Sequence, residues 1–224
     1  MKMGFKRALY KIGIDIKFVK KNEDIDPIAY NLREHFDDIW QDTKKIEINT
    51  NKEYQQFYHK LVDLIKDYNI NLNNKKVVDL GCGMGIMLSI LNEKYENLQI
   101  YGFDVSQNAV NLAKKRIPTG KFDVFDIYKP SEEKYDIIFC MEVLEHLLDP
   151  ETALKNIIAR MHTESTVIIT VPDGRKDQWM GHINFWSPES WNVFIQKMTG
   201  DMPYVTGRLT DKVIYAIIGA NIKK

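Results

Sequence analysis

Residues 77–85 read Val-Val-Asp-Leu-Gly-Cys-Gly-Met-Gly, a short apolar run that breaks into three glycines spaced by one residue each. Val77, Val78 and Leu80 are too few for a helix face and suit a strand buried in a parallel sheet. The glycines make a tight turn and let a ligand approach the backbone closely. The next apolar residues, Ile86, Ile90 and Leu91, recur at helical spacing. Strand, glycine turn and helix N-terminus together form a cradle in which backbone N–H groups and the positive end of the helix dipole meet a cofactor.

The residue types narrow the choice of cofactor. A nicotinamide or flavin site requires G-x-G-x-x-G, but Ile86 stands where the third glycine belongs, and the pattern is G-x-G-x-G. Asp79, just before the loop, opposes a pyrophosphate and favours a ligand carrying an ammonium group. A nicotinamide oxidoreductase is therefore a minor alternative. The stretch V-V-D-L-G-C-G-M-G resembles the first motif of the class I S-adenosylmethionine-dependent methyltransferases, and the resemblance runs from about Lys75 onward. It implies an α/β fold: a Rossmann-like, doubly wound sheet of seven strands, mostly parallel with one antiparallel strand, plus an N-terminal helical extension. It also implies S-adenosyl-L-methionine as methyl donor, held by Asp79, Gly81, Cys82, Gly83, Gly85, Asp104, Val105, Asp126, Ile127 and Met141.

Of these, Asp104 follows the apolar run Gln99 to Phe103, 19 residues after Gly85. A carboxylate at the tip of a second strand accepts hydrogen bonds from two adjacent ribose hydroxyls. Ser106 is the competing candidate for capping the helix that follows. Lys121 to Phe125 reads as a third strand, and the resemblance assigns Asp126 and Ile127 to the adenine ring. Tyr135 to Cys140 is a fourth strand whose carboxyl end opens onto the site.

Next comes Met141-Glu142-Val143-Leu144-Glu145-His146-Leu147. On a helix, Glu142, Glu145 and His146 project from one face. His146 suits a general base, its ordinary pKa lying near neutrality. The E-x-x-E-H pattern with a later histidine also resembles the metal-binding set of small-RNA 2′-O-methyltransferases and some ubiquinone-pathway O-methyltransferases. A divalent metal on Glu142, Glu145, His146 and His182 is the less favoured alternative.

After a fifth strand, Ser165 to Val171, the segment from Pro172 to Trp186 is long, aromatic and poor in regular-structure signals, which marks a working loop. It holds His182, the preferred base, with Trp179 and Trp186 as flat faces for an acceptor ring, joined by Trp191 just beyond it. Asp173, Arg175 and Asn184 are available for its hydroxyls. Ser187-Pro188 starts a helix, and two strands, about Tyr204 to Leu209 and Lys212 to Gly219, close the chain.

Elsewhere the sequence is less specific. Pro27 to Trp40 reads as a short aromatic and acidic helix, and Asn51 caps a helix with an apolar stripe from Tyr54 to Tyr68. We divide the chain into a basic tail and helical extension, residues 1–70, and a methyltransferase domain, residues 71–224. Lys and Arg balance Asp and Glu at 31 each, so there is no global pull toward nucleic acid. Only residues 1–21 are locally basic, with seven basic side chains against one acid, which permits a peripheral contact with a membrane or polyanion. The two cysteines form no disulfide framework, and a cytoplasmic setting follows.

The expected reaction is methyl transfer to a hydroxyl of a small metabolite, a sugar or glycan precursor first. The alternatives are RNA 2′-O-methylation and a catalytically silent binding module.

Overall fold

A computed structural model describes residues 33–41, 52–220 and 222. The basic tail and Asn51 therefore lie outside the described residues, as do residues 27–32 of the first expected helix.

Seven strands form one sheet in the order β3-β2-β1-β4-β5-β7-β6. They are β1 (Lys76–Leu80), β2 (Gln99–Asp104), β3 (Lys121–Val124), β4 (Tyr135–Met141), β5 (Met161–Pro172), β6 (Tyr204–Arg208) and β7 (Val213–Ile218). β7 runs antiparallel to both neighbours and the other pairings are parallel, which is the sheet expected from the resemblance.

The central strands are buried on both faces, which explains their continuous apolar runs. On one face, Val77, Ile137, Phe139 and Ile168 pack with α2 (Lys52–Asp67) and α3 (Ile86–Lys94) through Leu61, Ile65, Leu88 and Leu91. On the other, Val78, Ile138, Val167 and Ile169 pack with α5 (Pro150–Ile158) and α6 (Pro188–Thr199) through Leu154, Ile157, Trp191 and Ile195.

Helix starts follow the capping signals. Ser106 accepts from the Ala109 amide at the head of α4 (Gln107–Arg116), Asp149 from Thr152 at α5, and Ser187 from Ser190 at α6. Strand order reverses between β1 and β4, and the crevice at their carboxyl ends is where a doubly wound sheet takes its ligand.

One local expectation fails. Residues 142–146 are not a continuous helix: Glu142 adopts a left-handed φ of 53° and Leu144–His146 forms a single 3₁₀ turn. The Glu142 amide donates to the Thr170 carbonyl at 3.0 Å, so the chain leaves β4 still tied to β5 and must turn sharply before any helix can start. Both cysteines are free and buried. Among the described residues no helix is long and apolar enough to cross a membrane.

Candidate functional site

At the switch point lies a cleft of about 240 Å³. Gly81, Asp104, Val105, Asp126, Ile127, Glu142, Val143 and His146 line it, and Phe36 and Trp40 roof it. The roof is the short helix α1 (Arg33–Ile39) and the residue after it. Asp37 pins this helix to the head of α4, accepting from Ser106 Oγ and the Asn108 amide.

The glycine loop owes its shape to positive φ at Gly81 (86°), Gly83 (51°) and Gly85 (74°), a region that side chains other than hydrogen strongly disfavour. A β-carbon on Gly81 would overlap Val143 Cγ2, and one on Gly83 would stand 3.0 Å from the Trp40 ring. Two further bonds fix the loop: Gly83 N–H donates to Asp104 Oδ2 at 2.8 Å and Arg116 Nε donates to Met84 O at 2.9 Å.

The carboxylates differ in environment. Asp104 is buried, which pushes its pKa up, while the Ser106 and Gly83 amides pull it back down. Asp79 lies beneath the loop, 1 % exposed, and its Oδ1 has no hydrogen-bond partner. Burial first and the nearby Asp104 second raise its pKa to about 7. A buried acceptor without a donor is costly in the free protein and suits a cationic group arriving from the cleft. Cys82 and Met141 are buried; with Asp79, Gly83, Gly85 and His182, they stand outside the lining of the cleft.

Beyond the glycine loop, the 3₁₀ turn and the loop after β5 bring Glu145, His146 and His182 together. One donor atom from each lies within 4.8 Å of the others. Nε2 of His146 and Nε2 of His182 each stand 3.9 Å from Glu145 Oε1. The clamp is partly backbone: the Ile183 and Asn184 amides donate to the Glu145 carbonyl at 2.9 and 3.0 Å.

Glu145 is fully buried and neither carboxyl oxygen has a hydrogen-bond partner. Burial and then Glu142 push its pKa well up. Burial first and His182 second depress His146 to about 3, and burial lowers His182 against the pull of Asp177. Two imidazoles held neutral around a buried carboxyl group, which gives up its proton when a cation binds, are a donor set that fits a divalent cation. Glu142 does not join them; it lines the cleft and accepts from Thr170 Oγ1 at 2.8 Å.

Several of the residues expected to meet an acceptor have partners within the protein. Trp191 is fully buried, and Trp186 packs against it and Phe194 with ring centroids 5.4 and 5.3 Å away. Asp173 is fully buried and bound to Arg208 at 2.7 Å, Arg175 pairs with Glu189, and Asn184 donates to the carbonyls of Leu144 and Leu147. Trp179 is 44 % exposed beside the histidines, its ring centroid 5.2 Å from that of His146 and 4.7 Å from that of His182. Sequence reading missed Asp177, whose Oδ2 lies 2.5 Å from His182 Nδ1, because no motif marks it.

Residues 49–201, more than half of the chain, match the family profile described as "Methyltransferase domain". Among curated relatives, the chain is 28% identical over 104 residues to a trans-aconitate 2-methyltransferase of Variovorax paradoxus, covering 46% of this chain and 40% of that protein. It is 31% identical over 96 residues to a ubiquinone biosynthesis O-methyltransferase of Coxiella burnetii, covering 40% of each. The matched region thus spans about two fifths of the length of these relatives. A solved complex of DhpI with S-adenosylhomocysteine superposes with a TM-score of 0.67 at 12% identity, covering 86% of this chain and 96% of that one.

Proposed function

Because the chain belongs to the class I S-adenosylmethionine-dependent methyltransferases, we propose that it binds S-adenosylmethionine at the β1/β4 switch point and transfers its methyl group to a hydroxyl of a small metabolite, a sugar or glycan precursor. The observation that carries the cofactor assignment is the buried Asp79, whose Oδ1 has no hydrogen-bond partner, beneath a glycine loop that is itself bonded to Asp104. Asp79 answers the ammonium of the methionine moiety. Asp104 keeps lone pairs for the ribose hydroxyls, and Asp126 and Ile127 line the adenine end.

In the transfer, the acceptor oxygen attacks the sulfonium methyl in line, a C–O bond forms as the C–S bond breaks, and S-adenosylhomocysteine leaves. The hydroxyl proton must go to a base. The chain contributes alignment, exclusion of water under Phe36 and Trp40, and the polar cluster at the mouth of the cleft. Trp179 offers an exposed ring face beside that cluster, which suits a flat or cyclic acceptor.

A specific observation favours a second reading of the cluster. With a pKa near 3, His146 is a weak base, whereas Glu145, His146 and His182 together suit a divalent cation. Bound there, a cation supplies Lewis-acid polarisation of the acceptor oxygen. The histidines then act as neutral donors and Glu145 as their counter-charge.

The test is release of S-adenosylhomocysteine in the presence of sugars, nucleotide sugars, phenols, thiols, carboxylic acids and RNA, each with Mg²⁺, Mn²⁺ or chelator. Turnover on a small alcohol or phenol supports the proposal, and dependence on the cation supports the second reading. Turnover confined to RNA, a thiol or a carboxylate overturns the acceptor assignment. Cofactor binding without turnover on any acceptor points to a silent binding module.

A further inference from the structure

The contact between His182 and Asp177 determines where the imidazole proton sits. A carboxylate has only lone pairs to offer, so with Asp177 Oδ2 2.5 Å from His182 Nδ1, the ring nitrogen must be the donor. In the neutral imidazole the proton then rests on Nδ1, and Nε2 carries a bare lone pair. That lone pair faces Glu145 Oε1 at 3.9 Å, with the His146 ring 4.7 Å away between centroids. The opposite tautomer would put an N–H between Nε2 and Glu145 and close the cluster on itself.

Asp177 is well held for this task. Its amide donates to the Asp173 carbonyl at 3.0 Å, and its Oδ1 accepts from the Trp179 amide at 3.1 Å. Asp173 is in turn bonded to Arg208, and a bridge to Trp186 ties it to the far end of the same loop. The Asp177 side chain is only 9% exposed, and among the described residues its hydrogen-bond partners are His182 and the Trp179 amide.

We propose that Asp177 is the positioning residue of the site, fixing His182 in the Nδ1–H tautomer so that its Nε2 lone pair is presented to Glu145 and His146. The inference builds on the functional reading above in taking His182 as a working donor, but the tautomer itself is open to direct measurement without turnover.

Asp177→Asn is the decisive variant. Its Oδ1 still accepts from the Trp179 amide, while the new NH₂ offers His182 a donor in place of an acceptor. Long-range ¹H–¹⁵N correlation spectra of the cation-free protein should show His182 protonated at Nδ1 in the wild type and at Nε2 in Asp177→Asn, with Asp177→Glu keeping the wild-type form. Affinity for Mn²⁺, used as the probe cation, should fall roughly 10- to 100-fold in Asp177→Asn, the usual effect of removing an outer carboxylate.

A wild-type His182 protonated at Nε2, or a tautomer unchanged in Asp177→Asn, overturns the proposal. If the Asn variant does not fold, the wild-type spectrum and the Glu variant still decide it. If wild-type protein ignores Mn²⁺ while the tautomer shift occurs, the cation reading fails and the role of Asp177 stands.

Discussion

Gly83 N–H donates to Asp104 Oδ2 at 2.8 Å, so the turn after β1 and the tip of β2 form one bonded unit. Removing that acceptor strands the Gly83 amide and takes away the carboxylate proposed to meet the ribose hydroxyls. Asp104→Ala should weaken S-adenosylhomocysteine binding about 100-fold, since each hydrogen bond to a charged group is worth roughly 1.5–3 kcal/mol. Calorimetric titration checks it.

Gly81 combines a φ of 86° with direct proximity to Val143. Gly81→Ala should therefore destabilise the fold by about 1–3 kcal/mol through backbone strain and the clash. Trimming the neighbour, in Gly81→Ala with Val143→Ala, should return only the steric part. Thermal melts of the single and double variants separate the two effects.

Asp79 makes the free protein's stability depend on pH. Its folded pKa of about 7 lies above the ordinary value of 3.8, so its contribution is most favourable below pH 3.8 and is lost as pH rises through 7. Asp79→Asn should thus stabilise the cofactor-free protein more at pH 8 than at pH 4, by at most a few kcal/mol, since a tenfold change in acidity corresponds to about 1.4 kcal/mol. The same variant should bind S-adenosylmethionine more weakly. In the wild type, cofactor affinity should rise between pH 6 and 8 as Asp79 ionises. Melting temperatures and titrations across that range are the check.

Asp37 clamps the cleft's roof to α4. Asp37→Ala should raise amide hydrogen exchange across α1 and the head of α4 and lower cofactor affinity about tenfold, while leaving β1, β4 and β5 protected.

Much of this site is legible locally. β1, the glycine turn and α3 are contiguous, and Asp104 sits at the strand end its spacing predicts, so short-range pattern and packing agree. The same holds for the caps at Ser106 and Ser187.

What escaped the sequence depends on distant contacts. Helical spacing suggested that Glu142, Glu145 and His146 share a face, yet the bond from the Glu142 amide to Thr170 forces a left-handed residue and a 3₁₀ turn. Glu145 and His146 still meet His182, because amides some 40 residues later in the chain close on the Glu145 carbonyl. Trp191 was misread for a related reason: a tryptophan near a working loop has no local mark separating an acceptor platform from a core residue, and the sheet face claims it.

Titration of S-adenosylmethionine into folded wild-type protein, with Asp104→Ala alongside, tests the central assignment most directly. Saturable heat from a single site in the wild type and its loss in the variant is the predicted result. No heat in wild-type protein whose circular dichroism is intact, or saturable binding of a nicotinamide dinucleotide instead, contradicts it.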